Sequence, residues 1–226
     1  MYRGLFFSLI TILLLSSCST LYYAPSQPVL PMVAEKGVTK IGATIGSGAE
    51  STTYELNGFH SVSNHIGILA NLALLELDLN ELWQGDLGVG YFTPLSEKWG
   101  LESYAIAGYG DLQVSTNSWQ VSSFDNYFGV GMFRCAVQPD VFYHTGNFEA
   151  GAGFRLQYFS FDELPYDPEF VRTTKDHLMF EPTLRLALGW PVFKISLQGT
   201  ASQKINSGHL NYDEYMVSAG VVVMLR

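Results

Sequence analysis

The chain has 226 residues, of which 47% are hydrophobic, 14% aromatic and only 15% charged, well below the roughly 25% charge usual in a soluble domain. Its net charge of −9 excludes the basic surface that nucleic-acid binding needs, so no nucleic-acid partner is expected. With Cys18 and Cys135 as its two cysteines, the chain has no Cys-x-x-Cys redox or zinc motif, and its length suits a single domain.

At the N-terminus, Arg3 precedes an apolar run from Leu5 to Leu15 that ends in Ser16-Ser17-Cys18. A basic start, a short apolar core and small residues before a cleavage point are the anatomy of a secretory signal, and a Cys directly after them resembles the bacterial lipoprotein signal. The apolar core is shorter than the ~17 to 25 residues a membrane helix needs. Residues 1–17 are therefore expected to be a signal peptide, with lipidated Cys18 opening the mature chain and Cys135 left without a disulfide partner. More than one acyl chain on Cys18 would make attachment stable, since a single chain holds only marginally. Residues 18–36 contain Pro25, Pro28 and Pro31 and no hydrophobic period. Proline removes backbone donors and favours extended chain, which predicts a tether.

From residue 37 to 226 the dominant signal is apolar alternation with a period of two, broken by turn residues, and there is no helical stripe. Ile41, Ala43 and Ile45 share one face, as do Ile66, Ile68, Ala70, Leu72 and Leu74, and later Leu184, Leu186 and Leu188. Ten runs are predicted, near 38–47, 52–62, 65–78, 83–93, 98–113, 125–143, 147–161, 177–190, 192–205 and 212–225. An even number of antiparallel strands is the rule in bacterial outer-membrane barrels.

Short breaks at Ser63-Asn64, Pro94 to Glu97, His144 to Gly146 and Trp190-Pro191 alternate with longer polar ones at Glu76 to Leu82, Ser115 to Phe124, Asp162 to Asp176 and Asn206 to Asn211. Short periplasmic turns alternating with longer outside loops is the up-and-down plan of such a barrel. The brief first outer connection, Gly48 to Ser51, is the one exception. Aromatic residues gather near strand ends: Phe92, Trp99, Tyr143, Phe148, Trp190 and Phe193 at the short turns, and Trp83, Phe124, Tyr127, Phe159, Phe161, Tyr212 and Tyr215 at the loops. Two interfacial girdles would be placed this way.

Alternation alone leaves open which face is inside, because a lipocalin-like soluble barrel would turn the same apolar stripe inward. Strand lengths near the ~9 to 11 residues needed to span, the loop pattern and the nearly uncharged apolar face favour the membrane, so the fold class is all-β, an antiparallel up-and-down transmembrane barrel. Its interior then receives Lys40, Asp86, Glu102, Arg134, Gln138, Glu149, Arg155, Gln157, Glu181, Arg185, Lys194 and Gln198. Charges of both signs predict a paired, packed lumen network in place of an open pore. Pairing strands around His144 to Asn147 puts Gln157 opposite Arg134. Glycines on the same face, Gly88 with Gly90 and Gly151 with Gly153, should make room for long charged side chains.

An enzyme reading needs a nucleophile or activated water beside His and a carboxylate at the outer rim or the bilayer face. The available sets are His177 with Asp176 and Glu181, and His209 with Asp213 and Ser207; His65 and His144 fall at the periplasmic turns. These polar residues are expected to be solvated loop positions. No Gly-x-Gly-x-x-Gly, His-Glu-x-x-His or Gly-x-Ser-x-Gly occurs, and no cofactor is expected. The acidic residues Asp162, Glu163, Asp167 and Glu169 lack regular metal-ligand spacing and are expected to form a solvated loop, so no metal site is expected.

Cys18 followed by Tyr23-Ala24-Pro25, then Ser63-Asn64-His65-Ile66-Gly67-Ile68, Gly90-Tyr91-Phe92-Thr93-Pro94-Leu95, and Phe180-Glu181-Pro182 with Gly189-Trp190 resemble the Bacteroidota outer-membrane lipoproteins with an uncharacterised small β-barrel domain. That resemblance implies no catalytic residues. Some surface-exported lipoproteins of that phylum carry an acidic run soon after the Cys, where this chain has Ser19-Thr20-Leu21-Tyr22-Tyr23, and by that resemblance the anchor stays on the periplasmic side. The expected protein is a non-enzymatic outer-membrane barrel lipoprotein, an envelope component or accessory subunit of a larger complex, with membrane lipid and possible protein partners. The alternatives are a lipid A hydrolase or acyltransferase and a periplasmic lipocalin-like carrier.

Overall fold

The computed structural model describes residues 22–33, 35–77, 80–115, 127–162, 175–208 and 210–225. Cys18 and the signal peptide lie outside the described residues. The elements in chain order are β1 (Tyr22–Tyr23), β2 (Thr39–Ser47), β3 (Ser51–Ser61), β4 (Ile66–Leu77), β5 (Asn80–Pro94), β6 (Trp99–Ser115), β7 (Tyr127–His144), β8 (Phe148–Phe161), β9 (Asp176–Gly189), β10 (Phe193–Ala201), β11 (Gln203–Lys204), β12 (Asn211–Tyr212) and β13 (Tyr215–Leu225). Strands β2 to β10 and β13 pair in the order β10-β13-β2-β3-β4-β5-β6-β7-β8-β9, and β9 pairs back to β10, so the sheet closes. Every pairing in this ten-stranded ring is antiparallel. Closure leaves no strand edge unpaired, which a sheet in hydrocarbon requires.

The apolar stripe faces outward. Leu87 is 71% exposed and Ile195 62%, alongside Ile41, Leu72, Leu184, Leu188 and Val217. The charged strand residues turn inward: Lys40, Glu55, Asp86, Glu102, Arg134, Asp140, Glu149, Arg155, Glu181, Arg185 and Lys194 are all buried. Among the described strand residues, the acidic groups on the outer face are Glu76, Glu81, Asp111 and Asp176, all near the loop end. An outward apolar band with an inward polar face is the membrane-barrel arrangement, opposite to that of a lipocalin-like carrier.

Connections 62–65, 95–98, 145–147 and 190–192 are short and lie at one end, the turn end. At the opposite, loop end, the second connection is shorter than expected, because Leu77 pairs with Asn80 and leaves two residues between β4 and β5. The brief first connection is clamped from elsewhere. Asp213 Oδ1 accepts from the Ala49 and Glu50 amides at 2.8 and 3.1 Å, and Oδ2 accepts the Ser51 hydroxyl.

Three girdle assignments change. Trp99 and Trp190 at the turn end, and Trp83 and Tyr215 at the loop end, are exposed as girdle residues should be. Phe92, Phe159 and Phe161 are instead fully buried on the lumen face; residue parity, not proximity to a strand end, decides where a side chain points. Phe124 and the side chain of Tyr127 lie outside the described residues. The turn after β7 also closes one residue later than expected, with Thr145 N donating to the Phe148 carbonyl at 2.7 Å. Moving the pivot by one shifts partners by two, so Arg134 stands opposite Phe159 and Gln157 opposite Ala136.

The largest departure concerns residues 18–36. The described part does not hang free as a tether: residues 23–33 are buried throughout, packed inside the barrel. Tyr22 and Tyr23 pair in parallel with Asn211 and Tyr212 at the loop end. At the other end Lys40 Nζ reaches the Met32 carbonyl, and Gly37 N bonds the Ser61 carbonyl beside the first short turn. Met32 takes a left-handed φ of 52° just before the chain reverses into β2. This path runs from the loop end down to the turn end.

The orientation of the two faces makes a stability prediction. Leu87 lies midway along β5, so Leu87→Arg should cost about 2 to 4 kcal/mol in bilayers, against about 0 to 1 kcal/mol near an interface. Urea unfolding in liposomes checks this, with Tyr91→Arg as the interfacial comparison.

Candidate functional site: the occupied lumen

An extended segment with Pro25, Pro28 and Pro31 cannot make a ladder, because each proline lacks an N–H. Its carbonyls still need donors once water is excluded, and the barrel wall supplies them in sequence from loop end to turn end. Gln84 Nε2 donates to the Ala24 carbonyl at 3.1 Å, and Arg155 Nη2 to Ser26 at 2.6 Å. Gln198 Nε2 reaches Pro28 at 2.9 Å and Gln138 Nε2 reaches Val29 at 2.7 Å. Arg185 Nη1 reaches Leu30 at 3.3 Å and Lys40 Nζ reaches Met32 at 3.2 Å. Two amides of the segment donate the other way, Gln27 N to Glu55 Oε1 at 2.7 Å and Met32 N to Glu102 Oε1 at 3.0 Å.

The charged residues of the wall are paired mostly with one another. Arg134 Nε donates to Asp86 Oδ1 at 2.6 Å with a second contact between Nη2 and Oδ2, and its Nη1 meets the Gln84 side-chain carbonyl. Arg155 Nε pairs with Glu181 Oε2 at 2.6 Å. Lys40 and Lys194 share Glu149, at 2.9 and 3.1 Å. Ser26 lies between the two arginines, its hydroxyl 2.9 Å from Arg134 Nη2. Gln157 Nε2 donates to the Tyr23 hydroxyl at 2.6 Å.

All ten residues assigned to the lumen from sequence, Lys40, Asp86, Glu102, Arg134, Glu149, Arg155, Gln157, Glu181, Arg185 and Lys194, are buried there. Seven of them form ion pairs, Arg134 with Asp86, Arg155 with Glu181, and Lys40 and Lys194 with Glu149, whereas Glu102, Arg185 and Gln157 bond to Met32, Leu30 and Tyr23 of the threaded segment. Sequence reasoning missed Glu55, Asn71 and Asp140, although the outward neighbours Tyr54 and Leu56 would have set Glu55 inward by parity. It also missed the segment itself, including Ser26 and Gln27.

Apolar side chains close the lumen at both ends. Tyr23 and Ala24 join Leu75, Leu82, Leu112, Met132, Phe159 and Phe161 toward the loop end, with Tyr23 stacked on Phe159 at 4.3 Å between centroids. Toward the turn end Val33 and Val38 pack with Phe59, Phe92 and Tyr104. The glycine expectation is corrected in part. Gly88 and Gly90 make room for Leu69 and Tyr104, not for charges, whereas Gly153 accommodates Asp140. Gly151 faces the segment, and a Cβ there would meet Met32 Sδ at 2.9 Å and Leu30 Cδ2 at 3.1 Å.

The His177 set that an enzyme reading would need does not assemble. His177 is fully buried in the lumen, against Phe159 and Phe161 at 5.1 and 5.8 Å between ring centroids, while Glu181 is engaged by Arg155. Asp176 points outward and accepts the Tyr158 hydroxyl at 2.8 Å. Asp213 clamps the Gly48 connection, as described, and His209 lies outside the described residues. Of the acidic loop residues, Asp162 accepts from the Tyr109 hydroxyl at 3.2 Å; Glu163, Asp167 and Glu169 lie outside the described residues. Among the described residues no group of acidic, His or Cys side chains could hold a metal ion.

No family model and no curated protein matches the sequence. Among solved structures the chain is similar to an outer-membrane channel from Pseudomonas putida F1, with a TM-score of 0.54 and 11% identity over 88% of this chain and 100% of that one. It is also similar to the β domain of the Bordetella autotransporter Brka, at a TM-score of 0.48 and 10% identity over 84% and 99% of the two chains. The N-terminal barrel domain of Pseudomonas aeruginosa OprF gives 0.38 and 14% over 84% and 98%. The first of these likenesses is one of fold: the chain has the fold of an outer-membrane β-barrel.

The Arg134 pair separates removal of a charge from removal of a pair. Arg134→Met should cost about 3 to 5 kcal/mol by stranding Asp86 in the lumen, whereas Arg134→Met with Asp86→Leu should recover most of that loss. Denaturant unfolding of the three proteins in one detergent checks the order.

Proposed function

We propose that this protein is a non-enzymatic outer-membrane barrel lipoprotein with a closed lumen, acting as an envelope component or as an accessory subunit of a larger outer-membrane complex. The observation that carries the reading is the occupation of the lumen by residues 23–33, with carbonyls of the segment taken up by the wall. A cavity of about 400 Å³ opens at the turn end, but Met32, Val33 and the Lys40–Glu149–Lys194 bridge line it. A solute path would have to displace those groups. Lipid contact follows from the apolar outer band, and the lipoprotein part of the proposal rests on the signal-like segment ending at Cys18.

Single-channel recording in planar bilayers tests the closed lumen. The wild-type protein should give no steady conductance, and a stable ohmic channel would overturn the reading. For the accessory role, extraction of native membranes in mild detergent should recover the barrel with a stoichiometric protein partner. Recovery of the barrel alone would leave the envelope-component role.

A further inference from the structure

The threaded segment has a direction, and that direction bears on where the lipid sits. Wall contacts descend in strict order from Tyr23 at the loop end, through Ser26 at Arg134 and Arg155, to Met32 at Glu102 and Lys40. Tyr22 is held at the loop end by pairing with Asn211, in the connection between β10 and β13. Cys18 stands four residues before it, and four extended residues reach at most about 14 Å. The apolar band of such a barrel is about 25 Å tall. From Tyr22, therefore, Cys18 cannot return to the turn-end leaflet along the outside, and the lumen is already filled by the chain itself.

We propose that the lipid on Cys18 is inserted in the leaflet at the loop end, the outer leaflet of the outer membrane, and that the barrel closes around the threaded segment during assembly. The inference rests on the lipoprotein reading for the presence of the lipid and on the path of residues 22–33 for its leaflet. Assembly order follows from sterics. A multiply acylated terminus cannot be drawn through a lumen packed with Phe159, Phe161, Arg134 and Phe92, so the segment is in place before the last seam of the ring is made.

The test uses full-length protein in its native cells. An epitope inserted between Thr20 and Leu21 should bind antibody on intact cells, whereas the same epitope inserted between Ser96 and Glu97, in the turn after β5, should bind only after permeabilisation. Should an insertion block assembly, Tyr22→Cys with Asn211→Cys in a Cys135→Ser background should be joined by a short bismaleimide in intact cells, and failure to join them would overturn the path. Mass spectrometry of the N-terminal fragment separates the two layers of the argument. An acylated Cys18 with the first epitope reachable only after permeabilisation overturns the leaflet assignment while leaving the lipoprotein intact. An unacylated fragment overturns the lipid itself, whatever the epitope reports.

Discussion

The structure depends on a hydrogen-bonding problem: an extended, proline-containing strand of backbone runs through a space from which water is excluded, and its carbonyls cannot be left bare. In a sheet those groups would pair with a neighbour, but the three prolines remove the donors that a ladder needs. The wall answers with long side chains that donate, Gln84, Gln138, Gln198, Arg155, Arg185 and Lys40, each aimed at a different carbonyl. This accounts for an interior rich in Gln and Arg in a chain with only 15% charged residues. Gly151 fits the same logic, because the wall must withdraw where Leu30 and Met32 approach.

The wall's charges solve a second problem largely without the segment. Asp86 on β5 and Arg134 on β7 meet across β6, where the residue in register with both is Gly108; a Cβ at that position would collide with the Asp86 carboxylate. Arg155 and Glu181 are register partners on adjacent strands. Lys40 on β2 and Lys194 on β10 converge on Glu149 of β8, so strands that are not neighbours are tied across the turn end. The ion pairs hold the wall to itself, and the segment is held mainly by bonds to its carbonyls, with Glu55 and Glu102 taking two of its amides. Wall integrity and occupancy of the lumen are thereby separable in principle, although Arg134, Arg155 and Lys40 serve both.

Much of this was legible in the sequence, and the parts that were not share a cause. Alternation located the ten strands because Ile41, Leu72, Leu87 and Leu188 occupy one parity in runs long enough to span. It also placed Arg134, Arg155 and Glu149 opposite that parity. What alternation cannot carry is information about a partner distant in sequence. Parity with Tyr158 already turns Phe159 and Phe161 inward, but nothing local says that Tyr23, more than a hundred residues earlier, stacks against one of them. Residues 18–36 read as a tether because an absence of periodicity looks the same whether a chain is solvated or enclosed by a wall that satisfies it. The turn after β7 shifted the register by two without altering a face, since a shift of two preserves parity.

The lumen is layered, and the layering sets how the segment can move. Tyr23, Phe159 and Phe161 close one end and Val33, Phe59, Phe92 and Tyr104 the other, with the polar contacts of Ser26 to Leu30 between them. Apolar ends keep water from the middle layer, so a carbonyl that leaves its Gln or Arg finds no solvent to replace it and both groups are stranded at once. Partial withdrawal of the segment thus breaks several bonds before any water arrives to compensate. Release requires an apolar end to open first, and at the loop end that means unstacking Tyr23 from Phe159 and parting β1 from β12, beside the Asp213 clamp whose amide also donates to the Tyr23 carbonyl. Occupancy of the lumen is consequently cooperative, and the elements that govern it are the few residues around Tyr23 rather than the charged pairs at the centre.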